Sequence, residues 1–181
     1  ILHRQEPSRN DLMESMSIPE EIGQILLNRG VETQDQVKMF TDPSLKYLRD
    51  PFQLKDMDRA VERGRRAISE NEKIWIFGDY DVDGVCATTI LYLAISQFTE
   101  EGQLSFVIPH RINDGYGINK HIIEEAKKDG VQVLITCDNG ISAFDELRFA
   151  KEAGMDVLLT DHHDLRIDEN GKKIYPEAFS V

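Results

Sequence analysis

The sequence is poor in cysteine, in basic charge and in long apolar runs, and each shortage removes a class of function. Cys86 and Cys137 are the two cysteines among 181 residues. Neither belongs to a Cys-x-x-Cys pair, so a thiolate zinc site is not expected, and so few thiols suit a reducing, cytoplasmic setting. No apolar run reaches the ~20 residues that cross a bilayer, and no membrane association is expected. The most apolar stretch, 85–95, contains threonines and reads as a buried helix. Lys and Arg number 21 against 33 Asp and Glu, for a net charge of −12. Taken alone, that balance argues against nucleic acid, whose partners usually present basic surface. The argument weakens if part of the acid surrounds bound cations. Walker, Gly-x-Gly-x-x-Gly and Gly-x-Ser-x-Gly motifs are missing, which leaves nucleotide-fuelled and serine chemistry without support. No N-terminal signal peptide is visible. The start at Ile1 and the stop at Val181, inside ordered-looking sequence, are those expected of a fragment.

What is present is an α/β pattern. Residues 1–70 read as a helical N-terminal region. Ser17-Ile-Pro-Glu20 and Thr33-Gln-Asp-Gln36 have the spacing of capping boxes. Residues 42–56, with Pro43 and Pro51, read as a connector, and 58–70 as an amphipathic helix with Ala60, Val61, Gly64, Ala67 and Ile68 inward. From 71 to 181, apolar runs rich in strand formers at 74–77, 104–108, 131–136 and 155–160 alternate with helical stretches at 84–97, 119–128 and 143–152. The alternation predicts a parallel-sheet α/β domain with flanking helices. Each predicted strand runs directly into a polar cluster: Asp79-Tyr-Asp-Val-Asp-Gly84, Pro109-His-Arg-Ile-Asn-Asp-Gly-Tyr-Gly117, Cys137-Asp-Asn-Gly140 and Asp161-His-His163. In a parallel sheet all four share the carboxyl edge, where open α/β sheets place their ligands.

Asp79, Asp81 and Asp83 alternate along the chain, so in extended backbone their carboxylates point the same way. Such a triplet repels itself unless a cation intervenes, and hard oxygen ligands suit magnesium or manganese. An EF-hand loop starts similarly, but its twelfth position, where a bidentate glutamate is required, is Ile90. A strand ending in Asp-x-Asp also resembles the start of an aspartyl-phosphate phosphatase, with Asp79 as nucleophile; that reading leaves Asp161-His-His163 unexplained. His162 and His163 add imidazole to the carboxylates, a mixture that favours manganese, zinc or iron over magnesium alone. Asp138, directly after its strand, is placed to bridge two metals. Two metals so held activate a bridging water and stabilise charge on an attacked phosphoryl group. In the glycine-rich 109–117 loop, Arg111 could grip a phosphate and Tyr116 could stack on a base, with His110 and Asn113 beside them.

Gly78-Asp-Tyr-Asp-Val-Asp-Gly84, Asn113-Asp-Gly-Tyr-Gly117, Cys137-Asp-Asn-Gly140 and Asp161-His-His163 together resemble the DHH phosphoesterase superfamily. Asp50-Pro-Phe-Gln-Leu-Lys-Asp-Met-Asp58 narrows the resemblance to its single-strand-specific DNA exonucleases. The resemblance implies 5′-to-3′ release of mononucleotides from single-stranded DNA, in recombination and mismatch repair, with Mn2+ or Mg2+ in a two-metal site. It implies single-stranded DNA as partner, with a single-strand-binding protein and a RecQ-type helicase. Asp79, Asp81, Asp83, Asp138 and His162 would hold metal, and His163 would ligate or polarise the phosphate. Asp138 and His163 would be the catalytic groups, and Arg111, His110, Asn113 and Tyr116 would contact substrate. The family also uses a further aspartate, a second catalytic domain and a nucleic-acid-binding module downstream of the Asp-His-His run. Residues 1–181 alone are therefore expected to hold metal poorly and to degrade DNA weakly or not at all. Two alternatives stay open: a DHH enzyme acting on pyrophosphate, small nucleotides or oligonucleotides, and a non-catalytic DHH scaffold. The first commonly carries a histidine shortly before the aspartates, absent here; the second loses ligands that are kept here.

Overall fold

The computed structural model describes residues 18–42, 44–110 and 117–180. Its contacts divide the chain into two compact units, Ile1–Asp50 and Pro51–Val181. In the first, helices α1 (Glu20–Asn28) and α2 (Gln34–Thr41) are followed by a single 3-10 turn, Leu45–Tyr47. Leu26, Leu27, Val31 and Val37 form its small buried core. The box predicted at Thr33 caps α2: Gln36 N–H donates to Thr33 Oγ1 at 3.2 Å, and Thr33 N–H donates to Gln36 Oε1 at 2.9 Å. For α1, Pro19 takes the cap position and no side chain caps the helix; Ser17 lies outside the described residues.

The second unit runs α3 (Met57–Ser69), β1 (Ile74–Phe77), α4 (Val82–Ile95), β2 (Leu104–Val107), α5 (Lys120–Lys128), β3 (Val133–Cys137), α6 (Phe144–Glu152) and β4 (Asp156–Thr160). A two-residue hairpin, β5 (Arg166–Ile167) and β6 (Lys173–Ile174), follows. Strands β1 to β4 form one parallel sheet in the order β2-β1-β3-β4. Helix α3, which the sequence pattern groups with the N-terminal region, belongs by its contacts to this unit.

The sheet is buried on both faces, as parallel sheets are, and all five residues of β3 are buried. One face packs under α5 and α6 through Ile122, Ile123, Leu147 and Ala150. The other packs under α3 and α4 through Ala67, Ala87 and Leu91. The crossover from β1 to β2 thus lies on one face, and those from β2 to β3 and from β3 to β4 on the other. Strand order reverses between β1 and β3, and the carboxyl ends of those two strands flank the crevice where such sheets bind ligands.

Two packing features depart from the sequence reading. Arg63, not among the α3 residues read as inward, is buried; Val61, read as inward, is 39% exposed. Arg63 donates from Nε to Asp156 at 2.6 Å and from Nη1 to Glu72 at 2.5 Å, which fastens α3 to the start of β4. Helix α4, read as buried, is covered on one side alone: Gly84 and Thr88 are its buried residues, and Val82, Ile90 and Leu93 are exposed. Among the described residues no helix is long and apolar enough to cross a membrane.

Candidate metal centre

Asp79 follows β1 by two residues and is 1% exposed. Its Oδ1 accepts the Tyr80 N–H at 2.8 Å, which turns the carboxylate back over the strand end. Asp81 is the N-cap of α4 and accepts the Gly84 N–H at 3.0 Å. Because the helix begins at Val82, Asp83 lies in its first turn, off the extended backbone that alternation requires.

Asp138 follows β3 directly, with φ at +64°, a left-handed conformation rare for residues other than glycine. Its backbone N–H is bonded to Thr160 of β4 at 3.0 Å, so the turn is pinned to the neighbouring strand. Both Asp138 carboxylate oxygens are buried and accept no hydrogen bond. His162 Nε2 comes within 2.9 Å of Oδ1, but without hydrogen-bond alignment. Burial and the nearby Asp81 push the Asp138 carboxyl above its ordinary range, against the pull of His162 and His163. A buried, repelled carboxylate with two unserved oxygens is what a cation would satisfy.

Asp161 has a different task. Its buried carboxylate accepts the Ile141 N–H at 2.9 Å and the His163 N–H at 3.0 Å, and it meets His163 Nδ1 at 2.7 Å. Burial alone would raise its pKa, but these donors outweigh that and hold it low. The same contact, opposed by partial burial, raises the pKa of His163. Asp161 thus engages Nδ1 of His163, as a carboxylate does when it orients a metal-binding imidazole. The sequence pattern showed the Asp-His-His run but not this orienting role, because Ile141 belongs to the turn after β3.

Two groups of potential ligand atoms result, each with all members within 4.8 Å of one another: Asp79, Asp81 and Asp138, and Asp138, His162 and His163. Asp138 belongs to both, which fits a carboxylate bridging two cations. Mixed oxygen and imidazole donors suit manganese. Asp83 is in neither group; it lines an open cleft of about 350 Å³ with Asp138, Asp161 and His162. His110 is exposed and in neither group, while Arg111, Asn113 and Tyr116 lie outside the described residues. Buried Asn139 joins the strand ends, donating to Cys137 O at 2.9 Å and Phe77 O at 3.3 Å.

The parallel sheet gathers acidic and histidine side chains over its switch point, an arrangement that could hold two cations. Residues 73–178 match the "DHH family, N-terminal domain", and the chain belongs to the DHH family. It is 38% identical over 153 residues to the single-stranded-DNA-specific exonuclease RecJ of Bacillus subtilis (strain 168), covering 84% of this chain and 19% of that protein. To the RecJ of Haemophilus influenzae it is 40% identical over 122 residues, 67% of this chain and 21% of that one. A crystal structure of exonuclease RecJ bound to manganese superposes with a TM-score of 0.60 at 30% identity, covering 70% of this chain and 30% of the other. RecJ of Thermus thermophilus in complex with Mn2+ shares the fold, with a TM-score of 0.63 at 23% identity over 98% of this chain and 24% of that one. The chain thus spans about a fifth of the first two curated relatives.

Proposed function

We propose that this chain carries the metal-binding half of a 5′-to-3′ exonuclease that hydrolyses single-stranded DNA with Mn2+ or Mg2+. The observation that supports this most is the Asp138 carboxylate: buried, with no aligned hydrogen bond on either oxygen although His162 Nε2 lies 2.9 Å from Oδ1, and shared by both ligand groups. Asp79 and Asp81 complete one position, and His162 and His163 the other. Bound metals would supply an activated water and a counter-charge for the phosphoryl group. Asp161 orients the His163 ring through Nδ1, and Asp83 adds negative charge at the rim. Arg111, His110, Asn113 and Tyr116 are proposed to meet the substrate. We read residues 1–70 as a helical N-terminal region and 71–181 as the DHH domain, with helix α3 packed on the latter. A cytoplasmic setting, a single-strand-binding protein and a RecQ-type helicase go with this reading.

Isothermal titration with Mn2+ tests it, together with mononucleotide release from a 5′-phosphorylated single-stranded oligonucleotide by a polypeptide of RecJ length carrying this sequence. Asp138→Ala should abolish metal binding and release while the circular dichroism spectrum is kept. Unchanged metal binding, or faster turnover of a dinucleotide than of the oligonucleotide, would refute the reading.

A further inference from the structure

Helix α4 carries no charge from residue 84 through the turn after it to residue 99, in a chain whose net charge is −12. Its inward side is accounted for by the sheet: Gly84 and Thr88 are buried, and Ala87, Leu91 and Tyr92 pack on the core. Its outward side is apolar as well except for Thr89, whose hydroxyl donates back to Val85 O at 2.7 Å. Val82 is 76% exposed, Ile90 69% and Leu93 59%, with Val85 and Cys86 also exposed. At 100° per residue these positions fall within an arc of roughly 140°. Spacings of three, four and seven residues along that arc are those of a helix-packing seam. Beside it, Phe106 of the edge strand β2 is 53% exposed and meets Tyr92 edge-on at 5.2 Å. A helix with apolar residues on both its inward and outward sides is characteristic of a protein interior.

We infer that this stripe is the seat of a helix from the remainder of a longer polypeptide, docked against α4 through an apolar stripe of its own. Size and charge choose between this occupant and a second copy. A helix of 14 residues is roughly 21 Å long, so its stripe covers on the order of 200 Å². A stable dimer needs ~800 Å² per partner. Two copies of a chain at −12 also repel each other. A tethered segment meets the stripe at high effective concentration and is spared most of the cost of association, so a small apolar seam holds it. The matched RecJ proteins are long enough to supply one, since this chain covers 19% and 21% of them. Val82, at the head of the stripe, lies between Asp81 and Asp83, so the docked helix would end beside the metal centre.

Cys86 is a native probe, exposed on the stripe, whereas Cys137 is buried. Its alkylation by N-ethylmaleimide is to be timed, by mass spectrometry of the Cys86 peptide, in the 181-residue chain and in a polypeptide of RecJ length carrying it. Cys86 should react at least tenfold more slowly in the longer polypeptide. Ile90→Glu with Leu93→Glu should restore fast labelling there while the circular dichroism spectrum is kept. Equal rates in the two polypeptides overturn the proposal, as does slow labelling that persists in the double variant. Protection in the short chain that grows with its own concentration also overturns it, in favour of a second copy.

Discussion

Gly84 lies so close to Asp79 that a Cβ on the glycine would fall 2.5 Å from the Asp79 nitrogen and 2.6 Å from its Cα. No real Cβ tolerates such a contact with backbone. The glycine of the Asp79–Gly84 motif therefore serves close approach, not a positive φ. It lets the first turn of α4 settle on the end of β1, which fixes the distance between the Asp79 and Asp81 carboxylates. Gly84→Ala should force the two elements apart, destabilise the domain by about 1–3 kcal/mol as other overpacked sites do, and weaken Mn2+ binding. Gly64 is the control: an added Cβ there meets nothing within 4 Å. Gly64→Ala in mid-helix should raise stability by up to ~1 kcal/mol. Urea midpoints of both variants, with Mn2+ titrations, check the pair; a harmless Gly84→Ala refutes the packing account.

Arg63 is 4% exposed, with Glu72 on one side and Asp156 on the other. Truncating it leaves the Glu72 and Asp156 carboxylates without the buried cation they share. Arg63→Ala should cost about 3 kcal/mol, at the low end for a broken buried pair because Asp156 keeps some solvent. Arg66→Ala, whose guanidinium is half exposed and 4.0 Å from Asp156, should cost under ~1 kcal/mol. Equal losses in urea denaturation would show that burial is not what gives Arg63 its weight.

Asp129 reports on acid stability. Its carboxylate receives Lys73 Nζ at 2.6 Å and the indole N–H of Trp75 at 2.9 Å. The lysine lowers its pKa most, burial opposes that, and the indole lowers it further, so the net shift is downward. A carboxyl lowered in the folded state contributes stability that is present above its unfolded pKa of ~3.9 and is lost as pH falls through the folded value. The pair is partly exposed, so the loss should stay below ~1 kcal/mol. Trp75 is the chain's one tryptophan, so its fluorescence should titrate with a midpoint below that of a free aspartate. Asp129→Asn should remove the step; a midpoint at or above ~4 contradicts the assignment.

The four sheet strands were legible because short runs of strand formers bounded by turns have few other uses, and the site was legible because each run empties into polar residues. The signal failed where partners are distant or absent. Arg63 reads as surface charge until Asp156, 93 residues on, comes beside it. Periodicity could not separate the two sides of α4, since both are apolar and what would cover the outer one is not in the pattern. The triplet's alternation reads as one extended ligand set, yet the helix starts one residue before Asp83, because Asp81 is spent on capping it.

Asp138 sets metal binding against stability. Without a cation, its charge is desolvated, lies near Asp81, and sits on a backbone at φ +64°. Asparagine occupies left-handed backbone more readily than most residues and carries no charge to bury. Asp138→Asn should therefore raise the stability of the metal-free chain at neutral pH, by about 1 kcal/mol, while Mn2+ binding is lost. The gain should shrink on acidification, because a raised carboxyl pKa costs stability above the folded value and ceases to cost it once both states are protonated. Adding saturating Mn2+ should reverse the order, raising the Tm of the native chain and leaving that of Asp138→Asn unmoved. Thermal denaturation of both proteins at about pH 5 and about pH 7.5, with and without Mn2+, gives the comparison. A metal-free Asp138→Asn less stable than the native chain would mean that the carboxylate is held by partners other than a cation.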